Sequence, residues 1–131
     1  MLHREKGLAT VEFAIVGAVF LLLIIAIMQL GLAMYSRNHV TNVVRDAARY
    51  AALHGSAAPT PATAASIQAY VMDHSSGLVD TSKITVTTTW LPNNNPGSAV
   101  RVQVEYPFPL TIPFVPEETL SLRSSSEMVI F

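Results

Sequence analysis

From Phe13 to Tyr35 the chain carries no charged residue. As an α-helix at 1.5 Å per residue this run would rise about 34 Å, enough to cross a hydrocarbon core of roughly 30 Å. Gly17 and Gly31 interrupt it, and glycine is tolerated in membrane helices. The stretch therefore reads as a single membrane-spanning helix over residues 8–36. In front of it lies a short polar leader, residues 1–7, with His3, Arg4, Glu5 and Lys6 ahead of Gly7. Between leader and apolar run stands one carboxylate, Glu12. A carboxylate at the edge of a span is costly, and that cost makes it a functional candidate.

The helical pattern continues past the apolar run. Val40, Val43, Val44, Ala47, Ala48, Ala51 and Ala52 fall on one helical stripe, with Thr41, Arg45 and Arg49 on the opposite face. Gly55 is the expected C′ residue, with Pro59 and Pro61 beyond. This predicts one helix over roughly 9–54, apolar all round in its first half and amphipathic in its second. After a small-residue linker, a second helix is expected over Pro61 to His74, capped by Thr60, with Ala64, Ile67 and Val71 inward. The period then changes to two. Ile84, Val86, Thr88 and Trp90 alternate with polar neighbours, as do Val100, Val102, Val104 and Tyr106, with a turn around Asn93-Asn94-Asn95 between them. Pro107, Pro109, Pro113 and Pro116 are expected to keep the chain out of regular pairing. Alternation resumes at Leu120 and Leu122, predicting a third strand from Thr119 to Ile130. The expected fold class is α+β, with residues 37–131 forming a small antiparallel sheet covered by the amphipathic half of the first helix.

Composition narrows the function. Half the residues are hydrophobic and 13% are charged, which excludes a disordered chain. A net charge of −1 gives no basic field for nucleic acid. The absence of cysteine excludes disulfides, thiolate metal sites and cysteine nucleophiles. His3, His39, His54 and His74 lack metal-ligand spacing. Ser124-Ser125-Ser126 has no nucleophile-elbow setting, and there is no Walker loop or dinucleotide fingerprint. Nothing here indicates an enzyme, a cofactor or a metal. Trp90 and Tyr106 read as packing on the sheet face.

Gly7, the four residues Leu8 to Val11, then Glu12 and Phe13 at the head of an apolar helix resemble the processing site of type IV pilin-like precursors. The second block Arg45-Asp46-Ala47-Ala48-Arg49-Tyr50-Ala51 makes the resemblance closer to TadE-like pseudopilins of the tight-adherence (Tad/Flp) system, a pattern close to that of the sister TadF. The C-terminal Val100 to Tyr106 followed by Pro109-Leu110 is similar as well. The chain departs from the pattern at Gln29, where such proteins often carry a second acid, at Leu32, near which they carry a basic residue, and in lacking a proline near Gly17 and Ala18.

The resemblance implies cleavage by a prepilin peptidase between Gly7 and Leu8. A small residue at Gly7 would leave the backbone open there. The new ammonium at Leu8 would lie about 6 Å along the helix from Glu12 and could neutralise it, in the same subunit or a neighbour. Phe13 belongs to the same assembly motif, and Arg45, Asp46 and Arg49 are candidate subunit contacts. The implied partners are the peptidase, sister pseudopilins, the major Flp pilin, and the inner-membrane platform with its secretion ATPase. The implied role is assembly of a Flp-type pilus for adhesion and biofilm formation. The expected topology is a cytoplasmic N-terminus and an extracytoplasmic domain in a bacterial inner membrane. The flanking arginines Arg37, Arg45 and Arg49 outnumber Arg4 and Lys6, so this orientation rests on the signal-like leader. Two other readings stay open. One is a membrane-tethered binding module. The other is a secreted enzyme cut at Gly31-Leu32-Ala33.

Overall fold

A computed structural model describes residues 2–77 and 79–131, with side chains described from Lys6 onward; the leader side chains of His3, Arg4 and Glu5 lie outside it. Its elements are α1 (Leu2–Leu53), α2 (Ala64–Ser75), a single 3-10 turn (Thr81–Lys83), β1 (Thr85–Leu91), β2 (Ala99–Leu110) and β3 (Glu118–Val129). The architecture is α+β, as expected, with one antiparallel sheet in the order β1-β2-β3.

One long helix carries both expected halves. From Lys6 through Met28 its side chains are mostly exposed, including Leu8, Phe13, Phe20 and Ile27, because no described residue covers them. From Val40 to Ala52 the whole predicted stripe is buried, and Ser36 and Ala33 extend it two turns further back. This face lies against Val100, Val102, Val104 and Tyr106 of β2 and Leu122 of β3, all buried. Four alanines on the helix let its backbone approach a valine-lined sheet without leaving voids.

The β2–β3 hairpin runs alongside the helix. At about 3.3 Å per residue, strands of this length extend about 36 Å. From Gln29 to Ala52 the helix rises about 35 Å. The ends are tied accordingly. Gln29 Nε2 donates to the Thr111 carbonyl at 3.0 Å at one end. The Phe131 amide donates to the Ala52 carbonyl at 3.2 Å at the other.

Four expectations need correction. Pro107 and Pro109 lie inside β2, opposite Ser121 and Thr119. The partner β1 begins at Thr85, opposite Glu105, and pairs no further along β2. Beyond that point one side of β2 is open, and two prolines two residues apart direct their nitrogens to the same side, where no donor is needed. Only Pro113 and Pro116 fall in the connecting loop. Second, α2 starts at Ala64, not Pro61, because Thr63 rather than Thr60 is its cap. The Ser66 amide donates to Thr63 Oγ1 at 3.2 Å and the Thr63 amide donates to Ser66 Oγ at 2.9 Å, a reciprocal capping box. Third, Ala64 is exposed, while Ile67, Val71 and Ser75 are the buried positions. Finally, Gly55 is not a left-handed cap; the glycines at positive φ are Gly77 and Gly97. A Cβ at Gly55 would meet Ile130 Cγ2, so this glycine exists to let the C-terminal strand end pass.

Two details hold the linkers. The Ser56 amide donates to the Asn94 carbonyl at 2.8 Å and Ser56 Oγ to Asn95 Oδ1 at 2.9 Å, so the Asn93–Asn95 turn also clamps the segment leaving α1. The two helices share a Tyr-x3-His pattern. Tyr50 stacks on Tyr70 with ring centroids 4.9 Å apart, with His54 and His74 continuing the stack outward at 4.3 and 4.0 Å. Each His Nδ1 donates to the tyrosine carbonyl four residues earlier, at 2.8 and 2.9 Å.

Candidate assembly surface of the long helix

Gly7, Leu8, Glu12 and Phe13 all lie on the first turns of α1, and all are exposed. Leu8 is 73% exposed and Phe13 79%, which for apolar side chains means that lipid or another protein must cover them. The backbone at Gly7 is helical rather than open: α1 runs through it without a break. Thr10 Oγ1 donates back to the Lys6 carbonyl at 2.8 Å, which ties the turn containing Gly7 to the turn after it. Leu8 and Glu12 are four residues apart and so share a helix face, about 6 Å along the axis. Among the described residues Glu12 has no ion pair.

Arg45, Asp46 and Arg49 stand on the exposed face of the same helix, away from the sheet. They are about 50 Å along the axis from Glu12. The candidate residues thus form two separate patches at the two ends of one rod. Arg45 and Arg49, one turn apart, make no ion pair with any described residue. The two shortest ion pairs among the described residues link strands β2 and β3. Arg101 donates to Glu127 Oε2 from Nε at 3.0 Å and from Nη2 at 2.7 Å. Arg123 Nη2 and Ser121 Oγ both donate to Glu105 Oε1, at 3.0 and 2.8 Å. The Ser121 hydroxyl, then the Arg123 guanidinium, hold the Glu105 carboxyl below its ordinary range. Asp80 is lowered likewise, by the Ser82 hydroxyl and amide that it caps.

Among the described residues no group of three or more His, Asp or Glu side chains is placed to hold a metal. What this surface offers chemically is association: an uncovered apolar rod, a lone carboxylate near its start and two unpaired guanidinium groups near its end. Sequence patterns did not mark the Gln29–Thr111 contact, whose partners are 82 residues apart. They also did not mark the loop between β2 and β3, where Phe114 is 98% exposed. The Tyr-x3-His repeat was a readable signal for the docking of the two helices.

Residues 7–49 match the family model described as TadE-like protein. The matched segment begins at the glycine before Leu8, contains the whole apolar run and ends at Arg49. No curated protein and no solved structure matches the chain. The TadE-like match suggests involvement in the Tad pilus system.

Proposed function

We propose, from the TadE-like segment at residues 7–49, that this chain is a minor pseudopilin of the Tad system, needed to assemble a Flp-type pilus for adhesion and biofilm formation. The observation that carries the reading is the placement of Gly7, Leu8, Glu12 and Phe13 on one uncovered helix inside the matched segment. A prepilin peptidase cuts between Gly7 and Leu8. The mature chain is held in the bacterial inner membrane by α1, N-terminus cytoplasmic and residues 37–131 outside.

Cleavage changes the electrostatics of the helix start. It leaves an ammonium at Leu8, one turn from Glu12. A carboxylate in lipid costs on the order of 3 kcal/mol on insertion scales, and a cation at its side offsets that. In a bundle of such helices the ammonium of one subunit pairs with Glu12 of the next and sets their axial register. Phe13 packs beside it. At the far end Arg45 and Arg49 meet acids of a sister pseudopilin or of the major pilin, and Asp46 a base. The assembly platform and its secretion ATPase supply the work.

Mass spectrometry of the mature chain from cells with an active prepilin peptidase tests this directly. A chain beginning at Leu8, and an intact leader when the peptidase is deleted, is the expected result. An intact leader in both strains would make the protein a tethered binding module, and a start at Met34 a secreted protein. Glu12→Gln should leave cleavage unchanged and abolish co-purification with the other pilus subunits.

A further inference from the structure

We infer that the tip of the β2–β3 hairpin, Ile112 to Val115, is seated in the outer leaflet of the bilayer that α1 crosses, with phospholipid as its cover. The inference rests on the membrane-spanning reading of α1. The first argument is depth. A hydrocarbon core of roughly 30 Å takes about twenty helical residues. Counted from Phe13, its outer edge falls near Leu32. Gln29 is below that edge, and its side chain donates to the Thr111 carbonyl at 3.0 Å, so the loop after Thr111 hangs at membrane level.

The second argument is what the loop presents. Phe114 is 98% exposed and Val115 53%, while the prolines on either side, Pro113 and Pro116, carry no amide hydrogen to desolvate. Phe114 has φ of +65°, a left-handed backbone that favours glycine. An exposed phenyl ring on such a turn does nothing for packing within the chain. Phenyl and aliphatic side chains buried at the headgroup–acyl boundary are, in contrast, a common membrane anchor. Glu117 and Glu118 follow at once and remain at the water edge, which limits immersion to the apex.

The third argument is the order of polarity beside the tip. Between α1 and β3 runs an open groove of about 580 Å³. Its walls include apolar Leu30, Met34 and Leu120, and then Ser121, Arg37 and Arg123. On α1 that order is apolar toward the span and basic away from it, which is the order of an acyl chain and a phosphate headgroup. Arg123 is shared with Glu105, whereas Arg37 has no ion pair among the described residues. The groove is continuous with the apolar surface of α1, so lipid surrounding the span extends into it.

The chain has no cysteine, so single cysteines can be placed at exposed sites and labelled with the fluorophore NBD in the full chain. Phe20→Cys reports the span, Phe114→Cys the tip and Val129→Cys the far end of the sheet, all three being exposed positions. In lipid nanodiscs both faces meet the medium. Labels at 20 and 114 should be quenched by nitroxide-bearing lipids and reduced by aqueous dithionite several-fold more slowly than the label at 129. A label at 114 that behaves like that at 129, while 20 is quenched, overturns the inference and leaves the span standing. A label at 20 that also behaves like 129 overturns both. Protection at 114 that rises with protein-to-lipid ratio without nitroxide quenching would assign the tip to a second copy instead.

Discussion

Gly7 carries two demands that pull apart. The structure makes it a helical residue, whereas the proposed cleavage would need an extended backbone across the Gly7–Leu8 bond. Glycine resolves this because it is about 1 kcal/mol worse than alanine in a helix interior, so local unwinding is cheap. A Cβ there would meet nothing, so the substitution is sterically free. Gly7→Ala should therefore slow leader removal several-fold, read from the ratio of precursor to mature chain in a pulse-chase, without altering the domain. Gly55 behaves in the opposite way. A Cβ at that position runs into Ile130, and Gly55→Ala should destabilise the domain by about 1–3 kcal/mol in urea titration, as overpacking does. Ile130→Leu, which lacks the second γ carbon, should recover part of it. Glu105 makes stability depend on pH. Its folded carboxyl is lowered from an ordinary 4.5 by Ser121 and Arg123, so its contribution is complete above that value and disappears as pH falls through the folded value. The gap in urea midpoint between the native chain and Glu105→Gln should be constant from pH 7 down to about 5 and close in more acid solution.

The α2 cap separates two threonines that look alike in sequence. The Thr63 hydroxyl accepts the Ser66 amide, and that of Thr60 accepts no amide of that turn. Thr63→Ala should cost about 0.5–2 kcal/mol and speed amide exchange in the first turn of α2, whereas Thr60→Ala should change neither. The error of expecting Thr60 shows where sequence reasoning stopped. Pro61 suggested an N1 position, but the reciprocal partner Ser66 lies three residues after Thr63 and decides the start. The long helix and all three strands were legible because each buries one face, and burial imposes a period on the residues: 3.6 in Val40 to Ala52, two in Val100 to Tyr106. The extension of β2 through Pro107 and Pro109 was not, since proline in a strand is permitted only where a neighbouring strand is missing, and that depends on where β1 begins. The residues of the proposed processing motif, Gly7, Leu8, Glu12 and Phe13, were readable as a spacing. Their separation from Arg45, Asp46 and Arg49 along a rigid rod was readable from the helix alone. The hairpin tip was invisible, because it depends on how far two strands reach along a helix.

That reach sets how the molecule divides. Among the described residues, the buried hydrophobic side chains all lie at or beyond Ala33, and the first tie between helix and hairpin is at Gln29. Everything before Gln29 on α1 is uncovered by the rest of the chain, so it adds little to the stability of the domain. A fragment of residues 29–131 should therefore fold on its own, with a cooperative thermal transition by circular dichroism and slow amide exchange in β2. It would carry the exposed Leu30, Leu32 and Met34, so it should need mild detergent to stay monomeric. A fragment starting at Val44 loses Ala33, Val40 and Val43 from the core. Two buried valines alone represent about 3–6 kcal/mol of burial. Small domains hold roughly 5–15 kcal/mol in all, so that fragment should show no cooperative transition. If residues 29–131 also fail to fold, the uncovered half of α1 contributes to domain stability through an association that the isolated chain does not make. The same fragment then becomes the assay for that partner: whatever restores its transition is what packs against the helix.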